Sequence, residues 1–263
     1  MSLLQIVVLA LVQGLTEFLP VSSSAHLILV SALAGWPDQG LVMDLAVHLG
    51  TLLAVVVYFR STLADMVVAW LRPDRTDLAA ERRLGLQIAI ASIPVLLVGL
   101  LAYDLVAGLF RNVRIFAWTT IGFGILLFLA DRLARSDRDL AWLRLPGAVW
   151  IGLAQVLALV PGVSRSGITL TMGRALGLNA DAAARFSFLL SIPVTAAAGG
   201  HGLVQVIMDD STVAWRDFLV AAGFAALAGW ACITVFLGLL RRVGLLPFVV
   251  YRMLLGLALL SML

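Results

Sequence analysis

The chain has 263 residues, of which 62% are hydrophobic and only 13% charged, and its mean hydropathy is +1.06. That is too apolar for a domain whose main solvent is water, so an ordinary soluble enzyme is excluded. The pI near 9.7 does not point to nucleic acid either, because all 18 basic residues are Arg dispersed among apolar runs, mostly at their ends, where they read as topology signals.

The first segment, 1–35, is apolar but interrupted by Pro20 and the run Ser22, Ser23, Ser24. No Lys or Arg precedes Arg60 and no small-residue cleavage site follows the apolar run, so no cleaved signal peptide is expected. Apolar stretches long enough to cross a bilayer follow at 41–59, 84–103 and 115–130. A second interrupted segment, 145–177, carries Pro161, Ser164, Arg165 and Ser166, and three more spans are expected at 186–208, 218–240 and 245–263. Cys232, the only cysteine, lies in one of these runs, which excludes disulfide frameworks and thiolate metal sites.

In hydrocarbon every backbone polar group needs a partner, so a broken helix survives only where protein covers it or water reaches it. Both interrupted segments therefore read as helix, break, helix: re-entrant hairpins. The expected fold is all-α, a single polytopic membrane domain of six spans and two hairpins. Residues 1–144 form one unit of a hairpin plus three transmembrane helices, and 145–263 repeat it. Because three crossings are odd, the second unit enters from the opposite side, as an inverted-topology repeat. The likeness between 14–24 and 152–166 needs a gap to be seen, and SerIleProVal recurs at 92–95 and 191–194 in non-equivalent spans, where it marks kinks.

Loop charge sets the orientation. Arg60, Arg72, Arg75, Arg82, Arg83, Arg132, Arg135, Arg138, Arg144, Arg241 and Arg242 fall on one side, against Arg111, Arg114 and Arg216 on the other. The richer side is cytoplasmic, which puts both termini and the mouth of the first hairpin outside. Asp210 is then expected on the outer face.

Two charges lie where charge is costly. Glu17 and Arg165 sit inside the interrupted segments, and a charged group near the bilayer centre costs about 2.5–3.5 kcal/mol on insertion scales. Burying them as a pair lowers that cost. A structural ion pair is the plain reading, but it leaves the adjoining hydroxyls unexplained. Gln13 and Glu17, four apart, share a helix face and can jointly hold a metal or a water. If the second half-helix starts near Ser22, Ser23 and His26 fall on its first turn, where hydroxyl and imidazole can meet. Amides at a helix start also attract anions. In the second segment Gly162 and Gly167 permit close backbone approach, and Arg165 offers a planar fork for phosphate oxygens. With no Lys and the wrong glycine spacing, neither a Walker nor a dinucleotide motif is present. Phosphate without nucleotide is the chemistry implied. His48, four after Asp44, is read first as a hydrogen-bonded structural residue, and Arg174 and Arg185 as interfacial.

The motifs QGLTEFLPVSSSAH at 13–26 and PGVSRSG at 161–167, with DLAVHLGTLLAV at 44–55 and RFSFLLSIP at 185–193, resemble the bacterial undecaprenyl-diphosphate phosphatase family associated with bacitracin resistance. The resemblance spans most of the chain. It implies hydrolysis of undecaprenyl diphosphate to undecaprenyl phosphate and inorganic phosphate, recycling the lipid carrier of peptidoglycan synthesis, at the bacterial plasma membrane with the site facing out. By the same resemblance Ser23 is the nucleophile, with His26, Glu17 and Arg165 catalytic. Glu17 is also a ligand for a divalent cation, Mg²⁺ or Ca²⁺, and Gln13 stands where the family commonly has a first Glu. Gln13, Ser22, Ser24, Ser164, Ser166 and Thr169 complete the expected substrate-binding set. Partners are a polyprenyl diphosphate and membrane lipids, with no nucleic acid and a homodimer left open. Two rivals remain. A direct His26 nucleophile resembles the membrane phosphatidic acid phosphatase superfamily, whose pattern wants a Lys and a second His where this chain has Thr171. The other is a polyprenyl-phosphate flippase that transports without hydrolysis.

Overall fold

The computed structural model describes residues 1–101, 113–134, 137–208 and 213–261. Tyr103, Arg111, Arg135, Asp210 and Leu263, which figured in the expected spans and loops, lie outside them. Among the described residues the only β contact is a single bridge between Arg138 and Leu178; all other regular structure is helical.

Helix α1 (Leu3–Thr16) begins with a capping box, in which Ser2 and Gln5 each accept from the other's backbone N–H. It stops short of Pro20, and α2 (Ser23–Leu33) resumes after the break. Next come α3 (Gly40–Tyr58), α4 (Arg60–Leu71), α5 (Ala79–Leu101) and α6 (Val113–Leu133). The second interrupted segment gives α7 (Leu145–Gln155), a 3-10 turn at Val156–Leu159 and α8 (Arg165–Ala175). Then follow α9 (Ala180–Met208), α10 (Trp215–Val243) and α11 (Leu246–Ser261). Pro94 and Pro193, the positions read as kinks, lie inside the continuous helices α5 and α9.

Among the described residues five helices are long and apolar enough to cross a membrane: α3, α5 with its preceding turn, α6, α9 and α10. Together with exposed apolar residues such as Leu100, Leu227 and Val235, they make this a multi-pass membrane protein. The expected sixth span corresponds to α11, whose 16 described residues reach only about 24 Å at 1.5 Å per residue. Helix α4 was not expected. It packs on α5, and Arg82 donates from α5 to the carbonyls of Ala69 at 2.8 Å and Pro73 at 3.2 Å, supplying donors that the end of α4 lacks.

Helix α1 packs on α10, and α7 packs on α5; α3 and α9 pack on those same two helices, α3 on α10 and α9 on α5, while α6 lies against α11. Small residues make the contacts close. A Cβ on Gly14 of α1 would stand 2.6 Å from the Cβ of Ala228, and one on Gly152 of α7 would strike the backbone of Ala91. In lipid, where the hydrophobic effect does not hold helices together, such close approach is a main source of association. An aromatic chain, Phe18 to Phe188 to Phe236 to Phe248, runs from the first break through the core with ring centroids 5.1–5.8 Å apart. It fixes the residue next to Glu17.

Candidate active site

The two breaks meet at one cavity, lined by Glu17, Ser22, Ser23, Ser24 and His48 from the first half and by Val160, Pro161, Gly162, Ser164 and Arg165 from the second. Each break turns through a serine with positive φ, 73° at Ser22 and 72° at Ser164. This left-handed backbone costs a non-glycine residue about 1–3 kcal/mol, and such strain gathers at functional sites. In both cases a helix starts at the next residue, so Ser23 and Arg165 occupy corresponding first positions of α2 and α8.

Glu17 is the hub. Its Oε1 accepts from Arg165 Nη2 at 2.8 Å, and its Oε2 accepts from Ser23 Oγ at 2.7 Å and from Gln13 Nε2 at 3.0 Å. The side chains of Arg165 and Glu17 are only 15% and 11% exposed, so the pair expected from two isolated charges is a shielded one. Arg165 Nη1 also donates to the Ser187 carbonyl at 3.1 Å, which leaves the guanidinium fixed on two sides.

The expected meeting of Ser23 with His26 does not occur. Ser23 donates to Glu17, whereas the ring nitrogens of His26 lie 2.7 Å from the Ser22 carbonyl and 2.5 Å from the Tyr251 hydroxyl. The reason is the start of α2: with Ser22 as the residue before the helix, the imidazole folds back over its own first turn onto that strained carbonyl. His26 is buried and stacked on Tyr251 at 5.6 Å, and it does not line the cavity.

Of the expected substrate-binding residues, Ser22, Ser24 and Ser164 face the cavity, and Gln13, Ser166 and Thr169 do not. Ser166 donates to the Leu19 carbonyl at 2.7 Å, joining the two breaks. Thr169 bonds its own helix and the Ser187 hydroxyl. Gln13 is fully buried with its Oε1 unpartnered. His48, read first as structural, lines the cavity while its Nδ1 sits 2.7 Å from the Asp44 carbonyl. Tyr251 and Arg252 were missed. An arginine inside the last apolar run was the available signal.

Among the described residues no group of three or more His, Cys, Asp or Glu could hold a metal. The donor set still suits a hard cation of the Mg²⁺ kind, which takes one or two carboxylates and draws its other ligands from water and phosphate. Glu17 and the orphaned Gln13 Oε1 are oxygen donors of that sort.

A serine aimed at a carboxylate, beside an arginine fixed in place, inside a body of long apolar helices defines a membrane protein built to act on an anionic group. The family profile of the bacitracin resistance protein BacA matches residues 6–258, and the chain belongs to that family. It is 48% identical to the undecaprenyl-diphosphatase of Teredinibacter turnerae, with 97% of each chain covered. It is 49% identical to those of Colwellia psychrerythraea and Hahella chejuensis, with 99% of this chain and 98% of each relative covered.

Proposed function

We infer that this protein is an undecaprenyl-diphosphatase, hydrolysing undecaprenyl diphosphate to undecaprenyl phosphate and inorganic phosphate and so returning the carrier to cell-wall synthesis. The names of its relatives favour hydrolysis over transport alone. The observation that carries the chemistry is the Ser23–Glu17–Arg165 chain of contacts. Glu17 takes the Ser23 proton, and the Ser23 oxygen attacks the terminal phosphorus. The bond from that phosphorus to the bridging oxygen breaks, and undecaprenyl phosphate leaves. Water then releases phosphate from the phosphoserine. Arg165 neutralises charge on the transferring oxygens, and Ser24, Ser164 and the first-turn amides of α2 orient them. His26 holds the strained turn at Ser22 through its bond to that carbonyl, rather than taking the Ser23 proton. A divalent cation held by Glu17 would supply further neutralisation of phosphate charge. The cavity, about 160 Å³, is smaller than the roughly 300–1,000 Å³ of pockets that engulf a drug-sized ligand. It takes the head group, and the polyprenyl tail stays outside among the apolar helices.

The inverted repeat is part of the same reading. Its support is the exchange of partners, α1 on α10 against α7 on α5 and α3 on α10 against α9 on α5. Gly14 precedes Ser22 by eight residues and Gly152 precedes Ser164 by twelve, and the four-residue 3-10 turn Val156–Leu159 supplies the difference. Two units, 1–144 and 145–263, then form one membrane domain with two re-entrant hairpins and α11 as the sixth span. Arg174 reaches Asp131 while Arg138 pairs with Leu178, gathering the ends of α6 and α8 at the arginine-rich, cytoplasmic face. The site opens outward from the plasma membrane.

Purified protein should release phosphate from a polyprenyl diphosphate far faster than from the monophosphate or from free pyrophosphate, and chelation should lower the rate. Equal rates on diphosphate and monophosphate would refute the reading, and turnover untouched by thorough chelation would remove the cation from it. For orientation, cysteines placed at Arg75 and Arg138 should resist an impermeant thiol reagent on intact cells and one at Arg216 should react. The reverse pattern would invert the topology.

A further inference from the structure

Arg252 of α11 is 1% exposed, and every partner recorded for it is a main-chain carbonyl. Its Nη1 donates to Pro20 and to Val163, each at 3.1 Å, its Nη2 to Gly162 at 3.0 Å and its Nε to Thr120 at 3.1 Å. Pro20 lies in the first break, Gly162 and Val163 in the second. One guanidinium therefore holds both breaks at once. Two glycines leave it room: a Cβ on Gly167 would come within 3.1 Å of Nη1, and one on Gly124, which would first meet Met253 Cε at 2.5 Å, within 3.2 Å of the Arg252 Cβ.

Broken helices in an apolar body leave carbonyls without donors, and each such group is costly unless something supplies an N–H. Arginine has five donors in a rigid plane, so it can serve several acceptors in fixed relative positions; a lysine ammonium cannot reproduce that fork. The three acceptors in the breaks stand two or three residues before Ser23 and Arg165, the groups that share Glu17. The Ser166 hydroxyl on the Leu19 carbonyl is a second strut of the same kind.

We propose that Arg252 is a positioning residue for phosphoryl transfer, setting the distance between the break that presents Ser23 and the break that presents Arg165. The proposal rests on the hydrolase reading for its kinetic consequence and on geometry alone for its structural one. A nucleophile and a charge clamp held on separate segments lose rate when their spacing drifts, and a misplacement of about 1 Å can cost about 10²-fold.

The test is Arg252→Lys in the purified full-length protein, measured on a polyprenyl diphosphate. The expected result is a fall in kcat of about 10–100-fold with KM within about 3-fold, at a temperature where the variant is folded. Gln87→Ala is the control: it removes a buried bond to the Leu143 carbonyl, at 2.7 Å, away from both breaks, and should leave kcat near normal. Spin labels at the exposed positions Ile28 of α2 and Ala175 of α8 give a readout that needs no activity, and Arg252→Lys should broaden their distance distribution. If Arg252→Lys does not fold, Gly167→Ala, whose Cβ would press on Arg252 Nη1 without removing it, should lower kcat several-fold and broaden the same distribution. Wild-type kcat in a folded variant, an equal kcat loss in Gln87→Ala, or an unchanged distance distribution would each overturn the proposal. A wild-type protein that releases no phosphate would instead strike the hydrolase reading, leaving the distance measurement to decide the role of Arg252.

Discussion

The two breaks use one backbone device for two kinds of chemistry. Each turns through a left-handed serine and starts a helix at the following residue, and in each the turning serine lies beside the hydroxyl two residues on, Ser22 with Ser24 at 3.4 Å and Ser164 with Ser166 at 3.1 Å. The first position of the helix then differs: a hydroxyl at Ser23, a guanidinium at Arg165. The serines also differ in what they do for their helices. Ser164 accepts from the Gly167 N–H at 3.1 Å and caps α8, whereas Ser22 makes no side-chain cap for α2. The capped break carries the Arg165 guanidinium, and the uncapped one starts its helix at the Ser23 hydroxyl with no side-chain cap. Strain at such a turn is thus a reusable way to point one side chain into a cavity, and the residue placed there decides the role.

The comparison breaks most visibly at the two first positions. Ser23→Ala should abolish turnover while lipid diphosphate binding stays within a few-fold, because only the attacking oxygen is lost. Arg165→Ala should damage both, since it removes the charge clamp and leaves Glu17 unpaired in a shielded site. Ser24→Ala should be milder, about 1–3 kcal/mol for a bond to a charged group. Rates of phosphate release set beside equilibrium binding of the same lipid separate these cases. Near-normal turnover in Ser23→Ala with a dead His26→Ala would restore the histidine mechanism.

A smaller effect sharpens the difference between the turning serines. Ser22→Gly relieves roughly 1–3 kcal/mol of strain, gives back about 0.5–1 kcal/mol of backbone entropy and loses no cap. Ser164→Gly gains the same relief but forfeits a bond to the Gly167 N–H worth about 1 kcal/mol. Melting in detergent should therefore rise for Ser22→Gly by more than for Ser164→Gly, and the opposite order would show that the Ser164 cap is not what separates the two turns.

What the sequence made legible was whatever marks itself in side-chain chemistry. Glu17 and Arg165 stood out because charge in an apolar run is costly, and the breaks stood out because Pro and clustered Ser interrupt such runs. The absence of a Ser23–His26 contact was not legible, because spacing puts the two on one turn but cannot say that Ser22 takes a strained φ and draws the imidazole onto its carbonyl. Ser166 and Thr169 look like phosphate donors in a motif, yet their hydroxyls satisfy carbonyls. Arg252 was hidden for a related reason. Its acceptors are main-chain oxygens 89 to 232 residues away, and a carbonyl oxygen leaves no trace in the identity of its residue. Helix α4 escaped notice because its end is capped by Arg82 from a later helix, where local pattern carries no signal.

The bond from Arg252 to the Pro20 carbonyl spans 232 residues, and this has a consequence for biogenesis. At about 5–20 residues per second, synthesis separates the two partners by roughly 12–46 s. The first break emerges long before the donor that completes it, and α1 long before the sites on α10 that seat it. Until the last helix arrives, the nascent N-terminal hairpin must borrow water or the insertion machinery to satisfy its carbonyls. A chain released before Arg252 has both breaks and the Ser166 strut between them but lacks the guanidinium that joins them, so the fold is completed last at the place its sequence begins.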